Sequence, residues 1–402
     1  MSWEIVKIEE IFDVARGGSP RPINDFLTDE QDGVNWIMIG DTKDGGKYIK
    51  QTAKKIKPEG VMKSRIVNEG DFLLTNSMSF GRPYILKTSG CIHDGWLVLS
   101  PINENIHTDY FYYYLGSEEI KIKLALKASG AVVKNLNKDI VKKLKIPLPP
   151  LDQQKQIAHV LDTADAYRQK TKALIEKYDE LTQSLFLDMF GDPVTNPKGW
   201  STKTIVDIAS SDKYAIKRGP FGGALKKEIF VEDGYLVYEQ YHALNNDFTF
   251  ARYFIDESKF QELKGFEVKP DDIIISCSGV YLGKLAIVPK EARPGIINQA
   301  LLKVTVNQNV MTNRFFTFHF RQKNFRDTFF GANRGAGIPN FPPMKDFKKF
   351  PFIVPPLNLQ KQFEERIQAI EAQKALAQQE LDKANYLFNS LLRKAFKGEL
   401  VS

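Results

Sequence analysis

The stretch Pro149-Pro150-Leu151-Asp152-Gln153-Gln154-Lys155-Gln156 decides the fold, because the chain contains it twice. The second copy shares six of the eight residues and reads Pro355-Pro356-Leu357-Asn358-Leu359-Gln360-Lys361-Gln362. A proline pair fixes φ and prevents a helix upstream, while Asp152 or Asn358 can accept backbone N–H bonds from a first helical turn. Each copy therefore predicts a stop, a cap and the start of a helix.

A heptad pattern follows each copy and predicts a long helix. The first seam consists of Ile157, Val160, Ala164, Tyr167, Thr171, Leu174, Tyr178, Leu181 and Leu185. The second consists of Phe363, Ile367, Ile370, Lys374, Ala377, Leu381, Ala384, Phe388, Leu391 and Ala395. Two separate surface helices would also give such patterns, but similar seams behind the same motif favour helices that pair with each other. The residues expected to carry the pairing are Ile157, Val160, Ala164, Leu174, Leu181, Leu185, Ile367, Ile370, Leu381, Phe388 and Leu391.

The segments before the two helices also match each other. Asp71–Leu74 matches Asp272–Ile275, Ile39–Asp41 matches Tyr238–Gln240, and Gly81-Arg82 matches Gly283-Lys284. The offset grows in one direction, from 197 residues between Trp3 and Trp200 to 206 between Gln154 and Gln360. Matches that keep their order in this way indicate a tandem duplication.

The duplication predicts an α+β fold in which two similar mixed α/β domains are joined by two long helices. The expected segments are a globule at 1–148, a helix at 149–191, a second globule at 192–354 and a second helix at 355–402. Because the second helix must return the chain, we expect the helices to form an antiparallel coiled coil with pseudo-two-fold symmetry, and the last residues to lie near Met1. Two similar heads on a ruler fit one long ligand with two sites, as in half-site spacing on duplex DNA.

Composition limits the functional classes. The chain has 402 residues and a formal net charge of +7, which weakly indicates a polyanionic partner. No apolar run approaches the length of a membrane span, and no signal peptide opens the chain. Two cysteines, Cys91 and Cys277, fit a reducing cytoplasm and cannot build a metal site. We therefore expect a cytoplasmic protein with no membrane contact.

Three pairs of loops contain residue types that contact nucleic acids. Glycine lets the backbone approach a phosphate, arginine can fork to a phosphate or to guanine, and asparagine can read adenine. An ordinary surface turn could also explain the first pair, but its occurrence near the start of both halves favours contact. Hairpin chemistry alone could explain the glycines and serines of the second pair, and for the asparagines of the third pair the turn interpretation is slightly favoured. The candidates are Arg16, Ser19, Arg21, Ser77, Ser79, Arg82, Lys134 and Asn135 in the first half, and Lys217, Arg218, Ser278, Tyr281, Lys284, Arg334 and Asn340 in the second.

Sequence patterns typical of catalysis are missing. There is no P-loop and no H-E-x-x-H motif, and the proline pairs lack the flanking residues of amino-methyltransferases. His93-Asp94 could form an acid–base pair, but its counterpart lies near Asn298-Gln299, which cannot transfer a proton at neutral pH. A surface pair is therefore the preferred interpretation. The sequence predicts no catalytic, cofactor-binding or metal-binding residues in this chain.

The whole chain resembles the specificity subunit of a type I restriction–modification enzyme. The resemblance is carried by the two Pro-Pro-Leu-x-x-Gln motifs and by the stretches Ser184–Pro193, Leu392–Leu400 and Arg218–Gly222. It implies that each of two target-recognition domains reads half of a bipartite, asymmetric site in double-stranded DNA. It also implies that the helices set the gap and help to dock two modification subunits. It further implies that restriction motor-nuclease subunits join the complex in the prokaryotic cytoplasm, and that S-adenosylmethionine, ATP and Mg are bound only by the partner subunits.

Three other functions fit the residues less well. The chain could be an accessory DNA-binding subunit of a different modification system. It could instead be a protein–protein scaffold with two β-rich heads and no role on nucleic acid. An enzyme that acts alone is disfavoured by the missing motifs.

Overall fold

The structure is a computed structural model that describes residues 3–42, 46–76, 81–128, 136–279, 281–330 and 340–401. The chain divides into two compact units. Unit 1 comprises Met1–Ala173 and Gln378–Ser402, and unit 2 comprises Leu174–Ala377. Each unit therefore contains one β-rich globule together with part of each long helix. The boundaries expected for the recognition domains stay a prediction.

The described residues of unit 1 form short strands, short helices and parts of the two long helices. The strands are β1 Glu4–Lys7, β2 Phe12–Arg16, β3 Leu27–Thr28, β4 Val34–Ile37, β5 Tyr48–Ile49, β6 Lys54–Ile56, β7 Arg65–Val67, β8 Phe72–Thr75, β9 Pro83–Leu86, β10 Gly90–Ile92, β11 Trp96–Pro101 and β12 Lys145–Leu148. The helices are α1 Pro58–Val61, α2 Thr108–Leu115, α3 Glu118–Ala128, α4 Lys138–Lys142 and α5 Leu151–Phe190.

Two five-stranded sheets of unit 1 run in the orders β2-β11-β8-β9-β5 and β3-β6-β4-β10-β7, and β1 pairs with β12. Strand β8 is buried on both faces, which explains its unbroken apolar run. Successive side chains of a strand point to opposite faces. Leu74 accordingly packs in the core with the helices, whereas Leu73 packs in a second core with Ile37 and Trp96.

Unit 2 repeats this plan. Its strands are β13 Thr202–Thr204, β14 Ile216–Arg218, β15 Tyr235–Tyr238, β16 Phe254–Ile255, β17 Glu267–Val268, β18 Ile273–Ser276, β19 Leu285–Ile287, β20 Gly295–Ile297, β21 Leu301–Val304 and β22 Pro351–Ile353. Its helices are α6 Ile205–Ile208, α7 Gln240–Asn245, α8 Glu257–Glu262, α9 Asn313–Arg321, α10 Lys323–Phe330 and α11 Met344–Phe347, followed by the long helix α12 Leu357–Phe396. The sheets run β14-β21-β18-β19 and β16-β15-β20-β17, and β13 pairs with β22.

The sheet registers confirm the duplication. Phe72 and Ile273 hold equivalent places, because each is the first residue of the first strand of an antiparallel hairpin. Phe72 pairs with Ile85 of β9, and Ile273 pairs with Ile287 of β19. The match of Ile39–Asp41 with Tyr238–Gln240 is wrong by two residues. The parallel partners are Ile37 with Ile92 and Tyr238 with Ile297, so Ile37 is the true equivalent of Tyr238.

A buried glutamine gives the repeated Pro-Pro-Leu-x-x-Gln motif its structural role. In unit 1, Gln154 Nε2 donates to the carbonyls of Pro149 at 2.9 Å and Asn105 at 3.1 Å, and its Oε1 accepts from His107 N at 2.9 Å. Gln154 is 1% exposed. Because His107 immediately precedes α2, this amide ties the start of α5 to the start of α2.

The second copy makes the same three bonds in unit 2. Gln360 Nε2 donates to Pro355 O at 2.8 Å and Val310 O at 3.2 Å, and Oε1 accepts from Thr312 N at 2.9 Å. Thr312 is the residue before α9. The predicted caps are wrong, since the helices begin at Leu151 and Leu357 and place Asp152 and Asn358 inside the first turn.

The two long helices pack against each other within each unit. In unit 2 the rings of Phe186 and Phe363 lie 5.7 Å apart and Lys374 forms an ion pair with Asp179, so higher numbers on one helix face lower numbers on the other. The segments are therefore antiparallel. In unit 1, Arg168 Nε donates to Asn385 at 2.9 Å, and its guanidinium lies 4.2 Å from the centre of the Phe388 ring.

The seam of α12 follows the predicted positions, whereas that of α5 departs from them. All ten α12 positions are buried or half-buried, including Ile367, Ile370, Leu381, Phe388 and Leu391. In α5, Ile157 is buried and Val160, Ala164 and Leu185 are half-buried, but Leu174 and Leu181 are 43% and 48% exposed. The predicted seam of α5 is therefore wrong at every second position. There the seam residue lies four residues after the preceding seam residue, and not three as predicted. The side chains in those places are Leu161, Arg168, Ile175 and Thr182.

This shift has a physical reason. Two of the four replacements are polar, so a search for apolar residues passes over them. Arg168 is held in the seam by Asn385 and Phe388, and the Thr182 hydroxyl donates to its own helix at Tyr178 O. Polar groups that are bonded in this way can be buried at little cost.

The first and last described residues of the chain pack together in unit 1, in line with the expected closeness of the two ends. Trp3, Leu400 and Val401 pack on the same core. The Trp3 ring lies 3.6 Å from the position that a Cβ on Gly398 would occupy.

The glutamine bonds predict a specific loss of stability. Gln360→Ala leaves the Thr312 N–H and the Pro355 carbonyl without a partner in a buried site, and we expect it to lower the free energy of unfolding of unit 2 by about 2–3 kcal/mol. Chemical denaturation measures this loss. Gln362→Ala, in the same motif at an exposed position, serves as the control and should change stability by less than about 0.5 kcal/mol. Equal losses for the two variants would contradict the role of Gln360.

Buried His319 predicts acid sensitivity of unit 2. Burial lowers the pKa of His319 from 6.5 to about 3, and its Nε2 accepts from Ile353 N at 3.2 Å. The unfolded chain takes up this proton below pH 6.5 but the folded unit does not. The free energy of unfolding of unit 2 is therefore undiminished by this group above pH 6.5. As the pH falls from 6.5 toward 3, it decreases by up to about 1.4 kcal/mol per pH unit.

Denaturation at pH 7 and pH 5 tests this dependence. His319→Gln retains an acceptor without the titration, so its stability should depend less on pH than that of the wild type. His159→Gln, at an exposed position of α5, should retain the wild-type dependence. An unchanged pH slope in His319→Gln would refute the assignment.

Candidate nucleic-acid interface

The turn at His93–Gly95 supports the first candidate loop of unit 1. Gly17 N donates to Trp96 O at 2.9 Å, and Gly18 N donates to Ile92 O at 3.1 Å. A Cβ on Gly17 would lie 2.0 Å from the His93 carbonyl oxygen, closer than real contacts allow. Glycine is therefore required for the backbone of this loop to lie against the turn.

Three candidate side chains converge on Asp94. Arg16 Nε donates to its carbonyl oxygen at 3.1 Å, Ser19 Oγ donates to its Oδ1 at 2.7 Å, and Arg21 Nη2 lies 3.6 Å from Oδ2. Asn76 Nδ2 also donates to the Asp94 carbonyl oxygen, at 2.7 Å. The hydrogen bond from Ser19 holds the pKa of Asp94 below its usual value, so the carboxylate stays ionised at neutral pH.

His93 and Asp94 are not arranged as an acid–base pair. His93 Nδ1 accepts from Gly95 N at 2.9 Å and lies 3.9 Å from Asp94 Oδ1. Burial lowers the pKa of His93, which favours the neutral ring. The loop and this turn border an open pocket of about 690 Å³, to which Trp36 and Met38 contribute apolar surface and Lys54 a cation.

Unit 2 builds the same backbone cradle with other side chains. Gly219 N donates to Leu301 O at 2.9 Å, and a Cβ on Gly219 would lie 1.8 Å from the Asn298 carbonyl oxygen. Arg218 occupies the place of Arg16, because it pairs with Leu302 as Arg16 pairs with Leu97.

The environment of Arg218 differs from that of Arg16. Its buried Nε has no hydrogen-bond partner in the part of the chain that the structure describes. Its guanidinium lies 5.4 Å from the centre of the Phe221 ring, and Phe221 is 70% exposed. The neighbouring Lys217 Nζ lies 4.8 Å from the centre of the Phe266 ring.

A polar cluster lies at the end of strand β18. Gln240 Nε2 donates to Ser276 Oγ at 2.9 Å and to Ser278 O and Oγ at 2.9 and 3.1 Å. Ser278 in turn forms an isolated antiparallel bridge with Asn340, which is exposed. The structure thus brings two predicted residues, Ser278 and Asn340, together with Gln240, which the sequence analysis missed.

The hairpin loops that contain Arg82 and Lys284 are also equivalent. Gly81 N donates to Thr75 O and Gly283 N to Ser276 O, and both glycines have positive φ. Tyr281 and Lys284 are exposed on this hairpin. Arg82 lies elsewhere than the Asp94 group, because its guanidinium stacks 5.3 Å from the Tyr84 ring and borders a pocket of about 430 Å³ beside α5.

Five candidates lie outside the described residues: Ser77, Ser79, Lys134, Asn135 and Arg334. Asn76, Asp94 and Gln240 are the residues near the loops that the search for candidates omitted. A common signal could have found them, since Asn76 and Asp94 come one or two positions after buried strands and Gln240 comes two positions after β15.

Three further features concern metal binding, cysteine chemistry and membrane spans in the part of the chain that is described. No group of three or more His, Cys, Asp or Glu there is placed to hold a metal ion. Burial raises the pKa of Cys277 to about 12, which keeps its thiol protonated and unreactive. No described helix is long and apolar enough to cross a membrane.

Comparisons with known proteins agree with this architecture. A family model of the type I restriction modification DNA specificity domain matches residues 1–178 and 197–386. The chain is 24% identical to the type I restriction enzyme MjaVIII specificity subunit of Methanocaldococcus jannaschii, over 92% of this chain and 86% of that protein. It is 21% identical to the EcoBI specificity subunit of Escherichia coli, over 100% of this chain and 87% of that protein.

Solved structures show the same fold. A chain from a type I R-M system, studied for its complex assembly and conformational transition, covers 99% of this chain and 98% of its own length with a TM-score of 0.65 and 15% identity. The S subunit of a type I restriction–modification system from M. genitalium covers 98% of this chain and 96% of its own length with a TM-score of 0.53 and 16% identity. These matches do not favour a scaffold without a role on nucleic acid. The chain belongs to the type I restriction–modification DNA specificity family, and it is a specificity subunit with two such domains.

Proposed function

We propose that each unit reads one half of a bipartite, asymmetric target in double-stranded DNA. The observation that supports this most directly is the duplicated cradle with unequal side chains. Gly17 and Gly219 press against equivalent turns, yet Asp94 of the first turn corresponds to Gln299 of the second, and Asn76 corresponds to Cys277. Two equivalent backbone cradles that present different side chains fit two half-sites of different sequence.

The arginines of the cradle are the best candidates for direct contact. Arg16 and Arg218 hold the same place beside the close-packed glycines. A guanidinium can bond a phosphate or the O6 and N7 atoms of guanine. Arg16 and Arg218 each precede a glycine, which would let the protein backbone come close to the DNA. Lys217, Tyr281 and Lys284 add cations and an exposed ring in unit 2.

We assign the long helices to spacing and assembly. Each is 40 residues long, about 60 Å at 1.5 Å per residue, and each contributes to both units. In unit 2, Leu174 and Leu181 are exposed and two helical turns apart on one face, beside the seam rather than in it. Exposed apolar residues at this spacing fit a helix of a modification subunit.

In this proposal the chain contributes recognition and no catalysis. Two modification subunits supply S-adenosylmethionine and methylate adenine, and restriction subunits supply the motor and nuclease with ATP and Mg²⁺. The assembly works on DNA in the prokaryotic cytoplasm.

Methylation-site sequencing tests the proposal as a whole. A host that carries this chain with its modification partners should methylate one motif made of two different half-sites with a fixed gap. Deletion of the chain alone should abolish that methylation. A methylation pattern that survives the deletion would refute the proposal.

Arg218→Ala tests the second half-site. If Arg218 contacts a guanine edge, the variant should lose about 1–3 kcal/mol of binding energy and its preference at that base pair, because the bidentate contact is gone. Binding of the full chain with its partners to a set of single-substituted duplexes measures both quantities. Arg16→Ala at the equivalent position is the matched control and should affect the first half-site instead. A loss that is uniform over all sequences would assign Arg218 to phosphate, and no loss would remove it from the interface.

A further inference from the structure

Asp94 places a negative charge among three candidate DNA-contacting side chains of unit 1, Arg16, Ser19 and Arg21. Its carboxylate accepts from Ser19 at 2.7 Å and lies 3.6 Å from Arg21 Nη2, while the side chain remains 43% exposed. Phosphates within about 8–10 Å would repel this charge at moderate salt. The carboxylate therefore lowers the general affinity for DNA. It must have either a structural role in the fold or a role in recognition.

The fold does not require a carboxylate at this position. In unit 2 the equivalent residue is Gln299, which is exposed and uncharged. The same turn forms there, since Leu301 N donates to Asn298 O at 3.1 Å as Trp96 N donates to His93 O at 3.2 Å. The strand ends also match, with Cys277 N bonded to Ala300 O and Asn76 N bonded to Gly95 O. A carboxylate is thus not required to build this turn.

The contacts of the carboxylate point to the loop in front of it. Its two oxygens face different residues of that loop, with Oδ1 bonded to Ser19 and Oδ2 beside Arg21. Asp94 N also lies 3.4 Å from Ser19 Oγ, so the hydroxyl is held from both sides. The Arg21 side chain is 82% exposed, and Asp94 is its ion-pair partner among the described residues. Without it, this exposed side chain would have no ion-pair partner among the described residues.

We infer that Asp94 sets the sequence discrimination of the first unit by holding Ser19 and Arg21 in one arrangement against the DNA, at the expense of general affinity. The inference rests on the proposed function and assigns Asp94 as a positioning residue. A guanidinium held at one end by a carboxylate presents its remaining N–H groups in one direction, so it accepts fewer base-pair patterns. The negative charge meanwhile weakens every DNA complex equally. Specificity obtained through a repulsive element is a known strategy of recognition.

Asp94→Asn in the full chain, assembled with its modification partners, tests the inference. Asparagine keeps the size and can still accept from Ser19, but it lacks the charge that holds Arg21. Binding is measured to the cognate duplex, to duplexes substituted in either half-site, and to a random duplex. We expect discrimination in the first half-site to fall about 10-fold, random binding to tighten by about 3-fold, and discrimination in the second half-site to stay unchanged.

Three further variants separate the contributions. Gln299→Ala, at the equivalent position of unit 2, should leave the first half-site unchanged. Ser19→Ala loosens the loop without removing charge, so it should reduce discrimination in the first half-site without tightening random binding. Arg21→Ala should reduce both discrimination and random binding, because a cation is lost.

The outcomes distinguish this inference from the proposed function. If the wild type binds cognate and random duplexes equally, the proposed function fails. If the wild type discriminates and Asp94→Asn discriminates equally well in the first half-site, the inference on Asp94 is overturned. A variant that loses discrimination equally in both half-sites, with a lowered unfolding midpoint, would assign Asp94 to folding and would also overturn it.

Discussion

The structure depends on one buried interaction that occurs twice, the side-chain amide of Gln154 and of Gln360. Each amide donates to the carbonyl of the first residue of its proline pair and accepts from the backbone N–H just before a helix. A buried amide must satisfy both its donor and its acceptor groups, and each of these amides does so by bonding separate segments of the chain. The motif therefore fixes where each long helix begins on its own globule.

A second constraint separates what is fixed from what can vary. Gly17 and Gly219 lie so close to a neighbouring carbonyl that no side chain fits, and backbone bonds hold both loops in place. Since these bonds do not involve side chains, the groups that project from the cradle can change without loss of the frame. Asp94 and Gln299 illustrate this freedom at one position.

Much of the fold could be predicted from the sequence because its signals are local or periodic. The helix starts, the duplication and the seam of α12 follow from proline pairs and from apolar spacing. The seam of α5 could not be predicted in full, because Arg168 and Thr182 are polar residues that an apolar pattern passes over, and Arg168 is held there by Asn385, 217 residues away in the sequence. The hub at Asp94 was missed for a similar reason, since its partner Ser19 lies 75 residues away in the sequence. Loop composition singled out Arg16, Ser19 and Arg21 as candidates, but not the residue that contacts all three.

The polar seam residue Arg168 has a consequence for alignment. Its guanidinium is bonded to Asn385 and stacked on Phe388. A slip of α12 by one heptad would replace Asn385 with Gln378 or Leu392 and Phe388 with Leu381 or Ala395. The apolar positions would still match after such a slip, but the cation would lose its aromatic ring and, in one direction, its hydrogen-bond acceptor. Apolar contacts alone would tolerate several alignments of these helices in unit 1, and the contacts of Arg168 favour the observed one.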